Sequence, residues 1–266
     1  MAFFTSPDGV RLHYELEGSG PPLVFHLGAG CDSDLWRAAG YLEPLAKSYT
    51  CVLFDHRGHG KSDHPTSVEA NLIDRYSDDV IALIDHLGHA SVVFLGWSNA
   101  VQIGLKAAEL HPKRFSALVL LGAIPPRRTY EELASAMTGR VAALRDQGWW
   151  EVIGDMIPAE KFEVPQWFIE RVLATDIEPY IAWSKARPDW QWSHWDAMPH
   201  IESPVLLIAG ELEDPDDLLA EAARSMTHAT RIRIPDREHI NAFLYSEFVV
   251  PRVLDFLGAR APQATG

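Results

Sequence analysis

The stretch Val92-Val93-Phe94-Leu95-Gly96-Trp97-Ser98-Asn99-Ala100 constrains this chain more than any other. Its first half is a β-branched and aromatic run of the kind that forms a buried strand. From Ser98 onward, Val101, Leu105, Ala108 and Leu110 recur at roughly three- and four-residue spacing, the pattern of a helix face. A serine with small residues two before and two after it, at a strand-to-helix junction, is the signature of a nucleophile elbow. In so sharp a turn those two neighbours crowd each other's backbones. Gly96 and Ala100 leave the space, and the serine is held strained with its hydroxyl exposed. A helix that begins at the serine turns its dipole and free N–H groups toward negative charge developing there. The plainer alternative is a serine that only caps a helix. The remainder of the chain decides between them.

Around this stretch, strand and helix patterns alternate. Ala2–Thr5 and Arg11–Glu17 flank the turn Ser6-Pro7-Asp8-Gly9 and predict a hairpin. Leu23–Leu27 is an apolar strand running into Gly28-Ala29-Gly30-Cys31-Asp32. Trp36–Lys47 is amphipathic enough for a helix, interrupted by Gly40 and Pro44. Tyr49–Asp55 is the next strand, and Leu72–Leu87 a helix ending at Gly88. After the elbow and its helix come the strand Phe115–Leu121, then, much later, the strand Pro204–Gly210, a helix around Asp217–Met226, the strand Thr230–Ile234 and a terminal helix from Ser246 to Leu257. Arg260–Gly266 reads as a frayed tail. Strands alternating with helices of this length predict an α/β fold with a mostly parallel, doubly wound sheet.

The rhythm fails between Ile124 and His200, where helical stretches occur without a core strand. Seven of the nine tryptophans lie there: Trp149, Trp150, Trp167, Trp183, Trp190, Trp192 and Trp195. The expected organisation is a core of residues 1–123 and 201–266 with a helical insertion at 124–200. The net charge of −14 argues against nucleic acid or an anionic membrane as partner. Cys31 and Cys51 are too few for a disulfide framework or a zinc site. No basic start followed by a long apolar run is present, and no apolar run is long enough to span a membrane. The expected setting is cytoplasmic.

A serine hydroxyl is a poor nucleophile until a neighbouring base takes its proton. His239 is the candidate among twelve histidines, because it follows the last strand, where a loop at the sheet's C-terminal edge reaches the elbow. His86 and His89 mimic a metal pair, but no carboxylate or cysteine stands at ligand spacing, and no metal or other cofactor is expected. A third group should orient the imidazole. Gly210-Glu211-Leu212-Glu213-Asp214 follows the penultimate strand and offers several carboxylates.

With these residues in place, the chain resembles the α/β-hydrolase fold family over nearly its whole length. The order serine, acid, histidine is the order of that family. Asp55-His56-Arg57-Gly58-His59-Gly60-Lys61-Ser62 resembles its D-x-R-G-x-G-x-S turn, for which a structural role is expected. Gly28-Ala29-Gly30-Cys31-Asp32 with Trp36 resembles its oxyanion loop, although Leu27 stands where the family has histidine and His26 is displaced by one. The resemblance implies oxyanion N–H groups from Ala29 and Asn99. It puts the acid three residues after Gly210, at Glu213, with Asp214 as the alternative. Epoxide hydrolases and haloalkane dehalogenases of this fold use aspartate where this chain has Ser98, so a serine implies acyl transfer. The tryptophan-rich insertion resembles the family's cap, and Trp97, Trp149, Trp150 and Trp183 are candidate pocket residues.

The expected activity is hydrolysis of a small apolar carboxylic ester or lactone through an acyl-enzyme, with a small molecule as substrate and neither nucleic acid nor membrane as partner. A carbon–carbon bond hydrolase of a ring-cleavage pathway is the alternative within the same chemistry. The Gly-Cys-Asp loop also resembles bacterial stress-signalling hydrolases and their plant hormone-receptor relatives, so a low-turnover receptor or partner is the alternative from another class.

Overall fold

A computed structural model describes residues 2–122, 124–151, 164–214 and 216–259. Its strands are β1 (Ala2–Thr5), β2 (Arg11–Gly18), β3 (Pro22–His26), β4 (Thr50–Phe54), β5 (Val92–Trp97), β6 (Phe115–Leu121), β7 (Val205–Gly210) and β8 (Ala229–Ile234). They form one sheet in the order β1-β2-β4-β3-β5-β6-β7-β8. β1 pairs with β2 and β2 with β4 antiparallel, and every later pairing is parallel. A parallel sheet is covered on both faces, so its central strands must be apolar throughout. β5 and β7 are accordingly buried at every residue. The outer strand β8 instead exposes Thr230 and Arg231, and charge on a free edge discourages pairing with another chain.

Among the described residues, the α-helices before β7 are α1 (Leu35–Ala38), α2 (Leu42–Ala46), α3 (Ile73–His86), α4 (Ala100–Leu110), α5 (Tyr130–Gln147), α6 (Gln166–Leu173), α7 (Glu178–Ala186) and α8 (His194–Ala197). After it come α9 (Leu218–Ser225), α10 (His239–Leu244) and α11 (Ser246–Gly258). The single helix expected over Trp36–Lys47 is two short ones, parted at Gly40. Trp36 and Tyr41 at that break are wholly buried, and the Tyr41 hydroxyl donates to Phe243 O at 2.7 Å. Burying two large rings there outweighs the few helical hydrogen bonds lost. α10 was not expected, and the tail beyond Ala259 lies outside the described residues.

Between β6 and β7 the described residues contain helices and no strand. α5 opens on a capping box, with Glu132 N–H donating to Thr129 Oγ1 and Thr129 N–H to the Glu132 carboxylate. Trp149, Tyr180 and Trp183 stack in a row, at ring separations of 5.1 and 5.4 Å. None of the described helices is long and apolar enough to cross a membrane.

The turn after β4 is an internal brace. Arg57 is wholly buried, donating from Nε and Nη2 to the Asp79 carboxylate at 2.7 and 2.6 Å and from Nη1 to Asp8 Oδ2 at 2.8 Å. It ties the β1–β2 turn to α3, far from the elbow in sequence. Removing one partner from such a pair leaves a buried charge, at a cost of about 3–5 kcal/mol.

His56 and His59 of the same turn stack with His26 at the end of β3, and all three are buried. His26 lies 4.8 Å from His56, which lies 3.8 Å from His59. Burial holds the His26 and His59 imidazoles at about 4, and that of His56 well below its ordinary value. His194 in the helical segment is likewise pulled to about 4 by burial. Such groups are neutral in the folded chain but ordinary, near 6.5, in the unfolded one, so the unfolded state takes up protons first as pH falls. Their contribution is full above about pH 6.5 and is lost between there and pH 4, at up to about 1.4 kcal/mol per pH unit for each histidine. The melting temperature should therefore drop steeply between about pH 6.5 and 4.5. A flat profile over that window contradicts the neutral stack.

Candidate active site

Ser98 follows β5 immediately and has φ of +62°, in the left-handed region that a serine rarely enters. Its N–H donates to Leu121 O at 2.8 Å, which pins the turn to the end of β6. A Cβ on Gly96 would lie 3.0 Å from the Ala100 Cβ, so the two small neighbours do meet across the turn. The helix starts two residues later than expected: α4 begins at Ala100, with Asn99 as its cap residue.

Gly28 approaches the serine from the loop after β3. A Cβ there would stand 2.5 Å from the Ser98 Cβ and 2.9 Å from its Oγ, so any larger residue would strike the hydroxyl. Ala29 and Asn99 both line the cavity above Ser98. Neither of their N–H groups donates to a backbone acceptor among the described residues. Gly30 N–H donates to His59 Nε2 at 3.0 Å, and His59 Nδ1 hydrogen-bonds Arg57 O at 3.2 Å. The buried histidine stack therefore fastens the far end of the same loop. Sequence reading passed over His59. A glycine-rich loop exposes amides that need acceptors, and that was the available signal.

His239 opens α10, just past β8. Its Nδ1 lies 2.6 Å from Glu213 Oε2. The other carboxylate oxygen, Oε1, accepts from Gly210 N–H at 2.7 Å, so the group is gripped by the end of β7. A carboxylate accepts here, which makes Nδ1 the protonated nitrogen and leaves Nε2 as the basic one. Gly122 lies against both His239 and Ser98: a Cβ on it would lie 3.2 Å from His239 Cε1 and 3.4 Å from the Ser98 backbone N. Trp97 stacks on the imidazole at 5.0 Å and on Phe243 at 4.1 Å, fixing the ring plane. Asp214 faces elsewhere. It is buried and accepts from Leu218 and Leu219 N–H at 2.8 and 3.1 Å, at the start of α9.

Ser98 and His239 line one cavity of about 560 Å³, shared with described residues from the segment between β6 and β7. Trp97, Trp149 and Trp183 line it. Trp150 does not: it is 52 % exposed and points away, because adjacent residues on one turn cannot share a direction. The expectation of an apolar pocket accounts for these walls but not for their charge. Arg127, Arg128, Arg140 and Arg187 also line the cavity, against Asp196 as the one carboxylate among the described lining residues. Sequence reading missed these arginines, whose signal was the pair Arg127-Arg128 in an acidic chain.

Residues 21–153 match the sequence pattern of a family described as alpha/beta hydrolase fold. A non-heme haloperoxidase of Rhodococcus erythropolis is 34% identical over 127 residues, which are 47% of this chain and 45% of that protein. The chain spans less than half the length of the first curated relatives it matches. A 3-oxoadipate enol-lactonase of Acinetobacter baylyi is similar at 27% identity over 250 residues, 87% of each chain. Among solved structures, a thermophilic esterase from Thermogutta terrifontis superposes with a TM-score of 0.84 at 21% identity, covering 98% of this chain and 99% of that one. That identity makes the likeness one of fold.

Proposed function

The chain belongs to the alpha/beta hydrolase fold family, and from that footing we propose that it hydrolyses small carboxylic esters or lactones with Ser98 as nucleophile, His239 as base and Glu213 as the acid. The observation that carries this reading is the 2.6 Å contact between His239 Nδ1 and Glu213, beside a serine strained to φ +62° in the same cavity.

In this reading His239 Nε2 takes the proton of Ser98 Oγ as the oxygen attacks the carbonyl carbon. The oxyanion is held by the N–H groups of Ala29 and Asn99, aided by the N-terminus of α4. Glu213 keeps the imidazole in the required tautomer and offsets its charge once protonated. His239 then gives its proton to the departing alkoxide. A water, deprotonated by His239, attacks the acyl-Ser98 ester, and collapse of the second tetrahedral intermediate releases the acid and restores the serine. The helices at 124–200 act as a cap over the cavity, and their stacked rings give the substrate an apolar, partly aromatic enclosure.

The test is a panel of p-nitrophenyl esters of varied acyl length, lactones and a vinylogous 1,5-diketone, run with a fluorophosphonate probe. Ester or lactone turnover with labelling of wild type is the expected result. Turnover of the diketone alone moves the assignment to carbon–carbon bond cleavage. No turnover and no labelling refutes it.

A further inference from the structure

The arginines of the cavity are not accounted for by ester chemistry. Arg187, just past α7, sits beside two indole rings that meet edge to face, its guanidinium carbon 5.0 Å from the centre of the Trp183 ring and 5.2 Å from that of Trp190. Its Nη2 donates to the neutral amide of Gln102, Oε1, at 3.1 Å. Gln102 sits on α4, the helix that starts beside Ser98, and lines the same cavity. Arg140 donates to the Tyr180 hydroxyl at 2.8 Å, also a neutral partner. Among the described residues neither Arg187, Arg140 nor Arg128 has a carboxylate within salt-bridge reach, whereas Arg127 pairs with Glu221.

A guanidinium removed from water without a counter-ion is costly, and chains avoid it unless something else supplies the charge. Desolvation, with the charges of Arg140 and Arg128 nearby, pulls the Arg187 group down to about 10, still cationic at neutral pH. The surroundings make this more pointed. The chain carries a net charge of −14, yet the described lining of this cavity has four arginines, one of them paired with Glu221, against one exposed aspartate. If Arg187 were only a strut between helix and core, one of the many acids would serve it better than a glutamine amide. A site that turns two guanidinium groups with only neutral hydrogen-bond partners into one cavity suits an incoming carboxylate, which can accept two parallel N–H bonds from one fork and a further bond from the other.

We infer that the cavity binds a substrate bearing a free carboxylate, held by Arg187 and Arg140, while a second carbonyl of the same molecule lies at Ser98. The substrate class is then a half-ester or lactone of a dicarboxylic acid, with its apolar body against the stacked rings. Only the kinetic arm of the test rests on the ester or lactone reading; the binding arm does not.

Wild type should cleave p-nitrophenyl hydrogen glutarate with kcat/KM at least about tenfold above that of the isosteric neutral p-nitrophenyl ester of glutaric acid monoamide. Arg187→Gln should lower that ratio by about 10- to 100-fold, the worth of a charge-assisted bond, mostly through KM. Arg187→Lys, which keeps the charge and loses the fork, should fall between. In parallel, glutarate should raise the melting temperature of wild type, glutaramide should not, and Arg187→Gln should lose the response. If Arg187→Gln does not fold, Arg140→Gln replaces it in both arms. Equal rates on the two esters with no glutarate shift overturn the anion site and leave the hydrolase standing. A glutarate shift lost in the variant, with neither ester cleaved, keeps the anion site and sinks the hydrolase. Inorganic phosphate stabilising as well as glutarate overturns the choice of carboxylate.

Discussion

Ser98→Ala is expected to lower ester turnover by about six orders of magnitude, with the melting temperature little changed. The size follows from how the three groups act. Without Oγ there is no acyl-enzyme, so His239 and Glu213 have nothing to activate, and what remains is the oxyanion site and substrate binding. The fold should tolerate the change, because the strain at φ +62° is imposed by the junction of β5 and α4 and weighs on alanine as on serine. Fluorophosphonate should label wild type and spare the variant. Labelling that persists in Ser98→Ala places the nucleophile elsewhere.

The second large effect separates two neighbouring acids. Glu213→Gln should cost about 10⁴-fold in kcat. Glu213 accepts from both sides, from Gly210 N–H at 2.7 Å and from His239 at 2.6 Å. A glutamine can keep its carbonyl on Gly210, but its NH₂ then faces His239 Nδ1, which must become an acceptor. That moves the imidazole proton to Nε2 and removes the base. Asp214→Asn should leave kcat within a few-fold and instead cost about 1 kcal/mol of stability, because its carboxylate satisfies N–H groups at the start of α9. The two variants, assayed by kcat and by melting temperature, should fail in opposite columns. A crippled Asp214→Asn with an active Glu213→Gln would reverse the assignment.

The loop geometry explains why sequence alone left this choice open. Glu213 and Asp214 are adjacent, and both carry a carboxylate in the turn after β7. Which one reaches back toward β7 and which forward to α9 depends on the backbone direction of that turn. The strand run ending at Gly210 placed the turn at the right edge of the sheet; only the folded turn orients its side chains.

The elbow, by contrast, was legible because its cause is local. Gly96 and Ala100 are small for steric reasons that act within five residues, and β5 is apolar because both faces of a parallel strand are covered. The order of strands and helices followed for the same reason, since periodicity records which face of each element is buried. His239 was chosen only by its position after β8, yet that position brings it to the cavity because the sheet's C-terminal edge gathers its loops together.

What tertiary structure alone decided lies between the elements. Trp149 faces inward and Trp150 outward, a difference set by packing on Tyr180 that no composition count reveals. His59 and Gly30 are 29 positions apart and joined by a hydrogen bond. Arg187 meets Gln102 across 85 positions. An arginine in an acidic chain reads as one more surface charge until its neighbours are known. Whether it is paired is a property of the space around it, and that space is shaped by segments distant in the chain.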